Sequence, residues 1–102
     1  MATTTSKVLY RGAASTTTST VLYTVPSATT TVVTEIMVVN TAATSGTFTL
    51  GLAGTNIATT VTVGAYDTTV IPMKQVLVTT NTITGGASAT TINFSISGVE
   101  IA

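Results

Sequence analysis

Histidine, cysteine and tryptophan are absent from the sequence, and charged residues fill only 6% of its 102 positions. Without cysteine the chain has no disulfide framework, no thiolate nucleophile and no zinc finger. Without histidine it lacks the usual general base and the most common transition-metal ligand. Three basic residues balance three acidic ones, so the net charge is zero. Nucleic-acid binders need a basic stripe, and we therefore expect no nucleic-acid partner.

Long apolar segments are also lacking. The longest apolar run covers residues 36–39, far short of the ~20 residues that cross a bilayer. Residues 1–6 have neither the basic start nor the apolar stretch of a secretory signal. From these features we expect no membrane partner and no export on a signal of its own.

The side chains that carry catalysis are few and scattered. Glu35, Asp67 and Glu100 fall in three different predicted segments, and no acid-rich loop offers the 6–8 oxygen ligands of calcium. Hydroxyl groups are abundant, but a Ser or Thr nucleophile needs a base to activate it. No Gly-x-Ser-x-Gly turn and no phosphate-binding loop is present. We therefore expect no enzyme activity, no metal and no cofactor, and an exposed Glu35 or one paired across strands with a basic residue, namely Lys7, Arg11 or Lys74.

The residues that dominate the chain are β-branched. There are 28 Thr, 13 Val and 7 Ile, which together fill 48 of the 102 positions. These side chains lose rotamer freedom in a helix and fit a pleated surface. No window shows the apolar spacing of a helix over three turns. The composition predicts an all-β fold.

Short alternating segments recur about every ten residues. They predict about eight strands, at residues 7–11, 20–25, 31–40, 47–53, 57–63, 68–71, 75–79 and 91–102. Pro72 is expected to end the sixth strand, and Gly85 with Gly86 to form a hairpin turn. This spacing is typical of all-β sandwiches. We predict a single antiparallel β-sandwich of jelly-roll type, with an immunoglobulin-like sandwich as the alternative. An N-terminal arm with the first short strand would cover residues 1–12, and the sandwich residues 13–102.

Alternation within the strands predicts which side chains point inward. The inward set in the two clearest strands is Phe48, Leu50, Leu52, Ile92, Phe94 and Ile96. Gly98 interrupts the last strand, so Val99 and Ile101 fall on the side of Ser95 and Ser97 unless a bulge forms there. Simple alternation also predicts that Val33 and Glu35 point to the same side of their strand. The three tyrosines, Tyr10, Tyr23 and Tyr66, are expected to pack in the core or at its rim.

A repeat of thirteen residues suggests one remote alternative. Thr-x-Thr triplets begin at Thr3, Thr16 and Thr29, and again at Thr47 and Thr60. A solenoid with a flat Thr-x-Thr face is the architecture of some ice-binding proteins. The spacing is lost after Thr29 and again after Thr60, which disfavours a solenoid.

The predicted surface suggests contact with other protein chains. Only six charged side chains would cover roughly 5,300 Å² of accessible area, whereas free monomers carry many more. A surface of Thr, Ser, Ala and Val fits closely against protein and loses little side-chain entropy on docking. Lys7, Leu9 and Arg11 are expected to share a face of the first strand, with charges that guard a sheet edge or meet an acidic neighbour. The candidate protein-interaction residues are Lys7, Leu9, Tyr10, Arg11, Val99 and Ile101.

Five motifs carry a resemblance to a known group of proteins. They are LYTVP at residues 22–26, TTVV at 30–33, VNT at 39–41, TFTL at 47–50 and SGVEI at 97–101. In this order and spacing they resemble small virion proteins of tailed bacteriophages, over residues 21–102. The resemblance implies a β-sandwich on the outer surface of the capsid, made in the host cytoplasm, with the major capsid protein and further copies of itself, as a dimer or trimer, as partners. A tail-associated or receptor-binding module is the alternative, for which the motif at Tyr66 and Asp67 is the candidate loop tip.

Overall fold

The computed structural model describes residues 3–102, whose regular secondary structure consists of β-strands alone. Eight strands are present: β1 Thr4–Ala13, β2 Val21–Thr24, β3 Thr30–Asn40, β4 Gly46–Leu52, β5 Thr55–Val63, β6 Thr68–Leu77, β7 Thr82–Ala87 and β8 Ile92–Ile101. This all-β outcome follows from the excess of β-branched residues, which favour extended backbone. Across the described residues no helix reaches the length and apolar character needed to span a membrane.

The strands form two four-stranded antiparallel sheets, in the orders β1-β8-β3-β6 and β2-β7-β4-β5. The first four strands pair with the last four in reverse: β1 with β8, β2 with β7, β3 with β6 and β4 with β5. One long hairpin rolled into two layers produces this pattern, which is the jelly roll. The predicted jelly-roll sandwich is confirmed. The strand order differs from that of an immunoglobulin sandwich, and the two packed sheets rule out the ice-binding solenoid.

The core lies between the two sheets and follows the predicted alternation. Phe48 of β4 and Phe94 of β8 meet edge to face across it, with ring centroids 6.4 Å apart and planes at 75°. The inward residues predicted for β4 and β8 are all buried. Strict alternation was sufficient here because both strands are regular where they face the core.

The first strand is longer than expected. Its pairing with β8 runs from Thr4 to Ala13, and Leu9 is 7% exposed in the core. Residues 4–6 belong to the predicted N-terminal arm and lie ahead of the predicted first strand at 7–11, but a polar side chain does not prevent backbone pairing at a sheet edge. Met1 and Ala2, at the start of that arm, lie outside the described residues. From residue 4 onward the N-terminal segment is part of the sandwich.

Two predicted strands, at residues 68–71 and 75–79, are joined in one strand, β6. The prediction that Pro72 ends a strand was wrong. β6 is an edge strand that pairs with β3 alone, so no second neighbour needs the N–H that proline lacks. A register shift in the pairing with β3, between Val33 and Glu35, accommodates the extra residues beside Pro72.

Gly85 and Gly86 do not form the predicted hairpin turn. They lie in β7, between β2 and β4. A Cβ on Gly86 would collide with the backbone of Thr17, and one on Gly85 would lie 2.8 Å from Cδ2 of Leu50. These glycines therefore let other segments of the chain approach β7 closely. Close approach of this kind is a common reason for glycine inside a strand. The predicted and observed numbers of strands are both eight because two errors cancel. The prediction divided β6 into two strands and did not include β7.

Bulges on both sides of β8 change which side chains point outward. The register shifts in β1 between Val8 and Tyr10, and in β3 between Val33 and Glu35, whereas β8 itself is continuous. Val33 consequently points into the core and is fully buried, whereas Glu35 points outward. The prediction that they share one side of the strand was wrong. Likewise Arg11 does not share the face of Lys7 and Leu9, because the bulge turns it to the outside of the sheet.

Candidate protein-interaction surface

The outer side of the β1-β8-β3-β6 sheet carries several apolar side chains. Strand register places Val99, Val32 and Val76 side by side across β8, β3 and β6. Val76 is 62% exposed, and no other layer of the described chain covers this side of the sheet. We define the apolar face as the eight apolar residues on this side, Val8, Val32, Met37, Val39, Val70, Val76, Val99 and Ile101. Ser95 and Ser97 of β8 lie among them, so the surface is mixed. An uncovered side of a sheet with this many apolar side chains is a candidate protein-interaction surface.

The outer side of the other sheet has a different character. On that side β4 and β7 carry threonine and glycine, namely Thr47, Thr49, Gly51, Thr82, Thr84 and Gly86, and of these Thr49, Gly51 and Gly86 are buried. Val21 of β2, paired with Thr84 and 55% exposed, is the one large apolar side chain among the described residues of β2, β4 and β7 on this side. The two outer surfaces of the sandwich are therefore chemically distinct, although both sheets are antiparallel and of equal strand number.

Arg11 and Glu35 place opposite charges on the apolar face. Arg11 pairs with Ser95, and its Nε donates a hydrogen bond to Ser95 Oγ at 3.2 Å. Glu35 pairs with Ser97 and is exposed. Within residues 3–102 one salt bridge is formed, between Lys7 and Glu100 at 3.3 Å. Glu35 is therefore exposed, as predicted, and is not joined to any of the three basic residues suggested for it.

A polar cluster links the two sheets at one end of the sandwich. The Tyr23 hydroxyl, on β2, is hydrogen-bonded to the Glu100 carboxylate of β8, and lies 2.8 Å from Thr31 Oγ1 of β3. Lys7 Nζ donates to the same carboxylate. The hydrogen bond from Tyr23 lowers the pKa of Glu100, and the Lys7 ammonium lowers it further. Burial and the adjacent Glu100 carboxylate raise the pKa of Tyr23. The cluster therefore acts as a cross-brace between the layers.

The structure divides the six predicted interaction residues into two groups. Leu9 is buried in the core, so its assignment to an interface was wrong. Tyr10 packs against the core and donates its hydroxyl proton to the Ala13 carbonyl at 2.8 Å, and Lys7 holds Glu100. Arg11, Val99 and Ile101 lie on the apolar face.

Sequence reasoning missed most of the apolar face. Val32, Val70 and Val76 belong to it, but they are spread over two strands that pair only after folding. A signal was available in the sequence: residues 31–40 are apolar on both sides, and this requires cover on both sides of a central strand. Without the strand order, that signal did not identify which other residues share the surface.

The remaining acidic residue has a local role. Asp67 Oδ1 accepts a hydrogen bond from the Thr68 N–H at 2.8 Å, at the start of β6. Within the described part of the chain, no three His, Cys, Asp or Glu side chains are grouped closely enough to hold a metal ion.

Comparison with solved structures shows a similar fold in a viral particle. The fold is similar to that of a chain in the crystal structure of the T13 IBDV viral particle. The TM-score is 0.60 at 10% sequence identity, and the match covers 98% of this chain and 30% of the viral one. This chain therefore spans less than a third of its neighbour's length, and at this identity the likeness concerns the fold. No family model and no curated protein matches the sequence, so the resemblance to bacteriophage proteins stays a prediction.

Proposed function

We propose that this protein is a structural component of a virus particle: a capsid decoration, or cement, protein of a tailed bacteriophage that binds the outside of the head and bridges subunits of the major capsid protein. The observation that carries this proposal is the apolar face. A protein with six charged residues and such a surface is suited to an assembly and poorly suited to life as a free monomer. The jelly-roll likeness to a virus-particle chain and the five sequence motifs support it.

The mechanism is binding alone. The sandwich, 49 Å long and about 20 Å in its other dimensions, serves as a rigid wedge between capsid subunits, and copies also associate with one another. Contacts of roughly 800 Å² per partner are typical of stable protein interfaces. Because the protein binds the assembled shell and not free subunits, it stabilises the shell by mass action. The proposal requires no cofactor, no catalytic step and no nucleic-acid or membrane partner.

One observation favours a tail-associated or receptor-binding module as a second candidate. Tyr66 is 73% exposed in the turn between β5 and β6, and its φ of 55° holds the turn in a left-handed conformation. Exposed aromatic side chains at loop tips are common binding anchors. Asp67 beside it would add a charge to such a site.

Location on particles tests the proposal. Purified protein carrying a gold label is added to phage particles that lack it, and the particles are imaged by electron microscopy. Labels spread over the head are expected for a cement protein, and the shells should gain about 2.7 kcal/mol of stability per site at a hundredfold excess over the dissociation constant. Labels confined to the tail would establish the second candidate, and unlabelled particles would contradict both.

A further inference from the structure

We propose that the apolar face binds a second copy of this chain, sheet against sheet, about a two-fold axis that runs close to β8. The inference rests on the self-association included in the proposed function, and it names the surface and the symmetry. It follows from the area of the face, from its position relative to β8 and from the placement of Arg11 and Glu35.

The part of the apolar face around β8 is large enough for a weak dimer. With the axis along β8, three strands of each copy overlap, namely β1, β8 and β3, whereas β6 extends beyond β1 of the other copy. Three strands at about 4.8 Å spacing give a width of about 14 Å, and the ten residues of β8 give a length of about 30 Å. Each copy would therefore contribute about 430 Å², and the pair about 860 Å², the size of a weak or transient interface. Two sheets packed in this way would bury Val32 and Val99.

The order of the strands fits a two-fold axis near β8. β8 lies between β1 and β3, so a half-turn about it brings β1 of one copy over β3 of the other. Val99 and Ile101 then meet their own equivalents close to the axis. Both are uncharged, so a self-contact at this position meets no electrostatic repulsion.

The same rotation pairs Arg11 with Glu35. Arg11 lies on β1 opposite Ser95, and Glu35 lies on β3 opposite Ser97. These positions differ by two residues along β8, about 7 Å, and packed sheets lie about 10 Å apart, so the two α-carbons would be about 12 Å apart. Extended arginine and glutamate side chains together bridge this distance. Arg11 of each copy therefore reaches Glu35 of the other, and the contact forms twice. The opposite outer surface offers no such complementarity, because β2, β4, β5 and β7 contain no charged residue.

Sedimentation equilibrium of the purified chain tests the apolar contact. The wild type is expected to populate dimers at about 0.1–1 mM, as an interface of this size is weak. Val99→Asp should raise the dimer dissociation constant at least about tenfold, because it buries an unpaired carboxylate. Val21→Asp is the matched control: it places the same charge on an exposed valine of the other sheet, and it should leave the dissociation constant unchanged. Circular dichroism confirms that both variants are folded.

Charge reversal tests the symmetry independently. Arg11→Glu alone opposes two carboxylates, and Glu35→Arg alone opposes two guanidinium groups, so each should weaken the dimer by about tenfold. The double variant R11E/E35R restores opposite charges at both contacts and should recover dimer formation to within about threefold of the wild type. Lys74→Glu is the control and should have no effect, because Lys74 lies on β6, which is outside the overlap of the two sheets.

Three results would overturn the inference: a wild type that remains monomeric at about 1 mM, an equal effect of Val99→Asp and Val21→Asp, or a double variant as weak as its singles. If the wild type is monomeric but Val99→Asp abolishes labelling of particles, the apolar face docks on the shell instead. The sedimentation experiment contains no particles, so its failure does not affect the proposed function, and failure of particle labelling does not affect the dimer.

Discussion

At the scale of single residues, the end of the sandwich depends on one carboxylate. Glu100 accepts hydrogen bonds from Tyr23 of one sheet and Lys7 of the other, while Tyr23 also contacts Thr31. Thr31 is fully buried, so its hydroxyl needs the partner that Tyr23 supplies. A few polar groups thereby hold together two layers that otherwise meet through apolar contacts.

Tyr23→Phe should lower the free energy of unfolding by about 1–2 kcal/mol, because Thr31 loses its buried partner and Glu100 one of its donors. The pH dependence should change too. A lowered pKa for Glu100 means stability that is present above the unfolded-state pKa and lost as the pH falls through the folded one. The raised pKa of Tyr23 means stability that is lost as the pH rises above about 10. Urea unfolding of the wild type and the variant, from acidic to strongly alkaline pH, measures both effects.

Tyr66→Phe is the control for that experiment, since Tyr66 is 73% exposed in a turn. It should unfold like the wild type at every pH. Equal stabilities of the Tyr23 and Tyr66 variants near neutral pH would show that the cluster contributes nothing.

At the scale of strands, β8 is the regular element against which its neighbours bulge. Its inward side carries Ile92, Phe94 and Ile96 and then Gly98, with no break in register. A Cβ at Gly98 would lie 2.5 Å from the Val32 carbonyl oxygen and 2.8 Å from Leu9 Cδ1. The glycine therefore leaves room for Leu9, which the bulge in β1 turns into the core.

Gly98→Ala should destabilise the domain by about 1–3 kcal/mol, the usual cost of overpacking, because a backbone oxygen is the atom in the way. Gly64→Ala is the matched control, since its nearest neighbours would lie at 3.7 Å, an ordinary contact distance. Differential scanning calorimetry of both variants measures the effect. A Gly98 variant as stable as the Gly64 variant would mean that β1 and β3 shift freely around this position.

At the scale of the whole molecule, the jelly roll closes by pairing its two terminal strands. β1 is the edge of a sheet, but it also supplies Leu9 to the core and Lys7 to the cross-brace. The accessible surface of the chain, 5257 Å², is close to the roughly 5,300 Å² expected for this mass. A single copy is therefore compact, and the proposed association joins two folded domains.

Deletion of residues 1–11 should therefore destabilise or unfold the sandwich, rather than release a dispensable arm. Removing most of β1 exposes one edge of β8 and removes Leu9 from the core, a loss comparable with the 5–15 kcal/mol that stabilises typical domains. Thermal unfolding followed by circular dichroism is the measurement, with deletion of residues 1 and 2 as the control. A truncated chain that melts at the wild-type temperature would show that β1 is only loosely attached.

Much of the fold was predictable from particular strands. β4 and β8 were placed with their buried residues because strict alternation of Phe48, Leu50 and Leu52, and of Ile92, Phe94 and Ile96, is a local property. The candidate surface was predicted only in part: Val99 and Ile101 were found, whereas Val32 and Val76 were not. The burial of Leu9 and the outward position of Arg11 were not predictable, since a bulge is set by the partner strand and not by the strand's own sequence.

The sequence by itself determined the all-β character, the alternating core and the scarcity of charge, because each depends on the chemistry of a residue and its nearest neighbours along the chain. Only the tertiary structure decided that Gly85 and Gly86 lie inside a strand, that Lys7 meets Glu100 and that valines from β8, β3 and β6 form one surface. These features arise from hydrogen-bond register between strands tens of residues apart. Register depends on where the whole chain folds back on itself, which no short segment specifies.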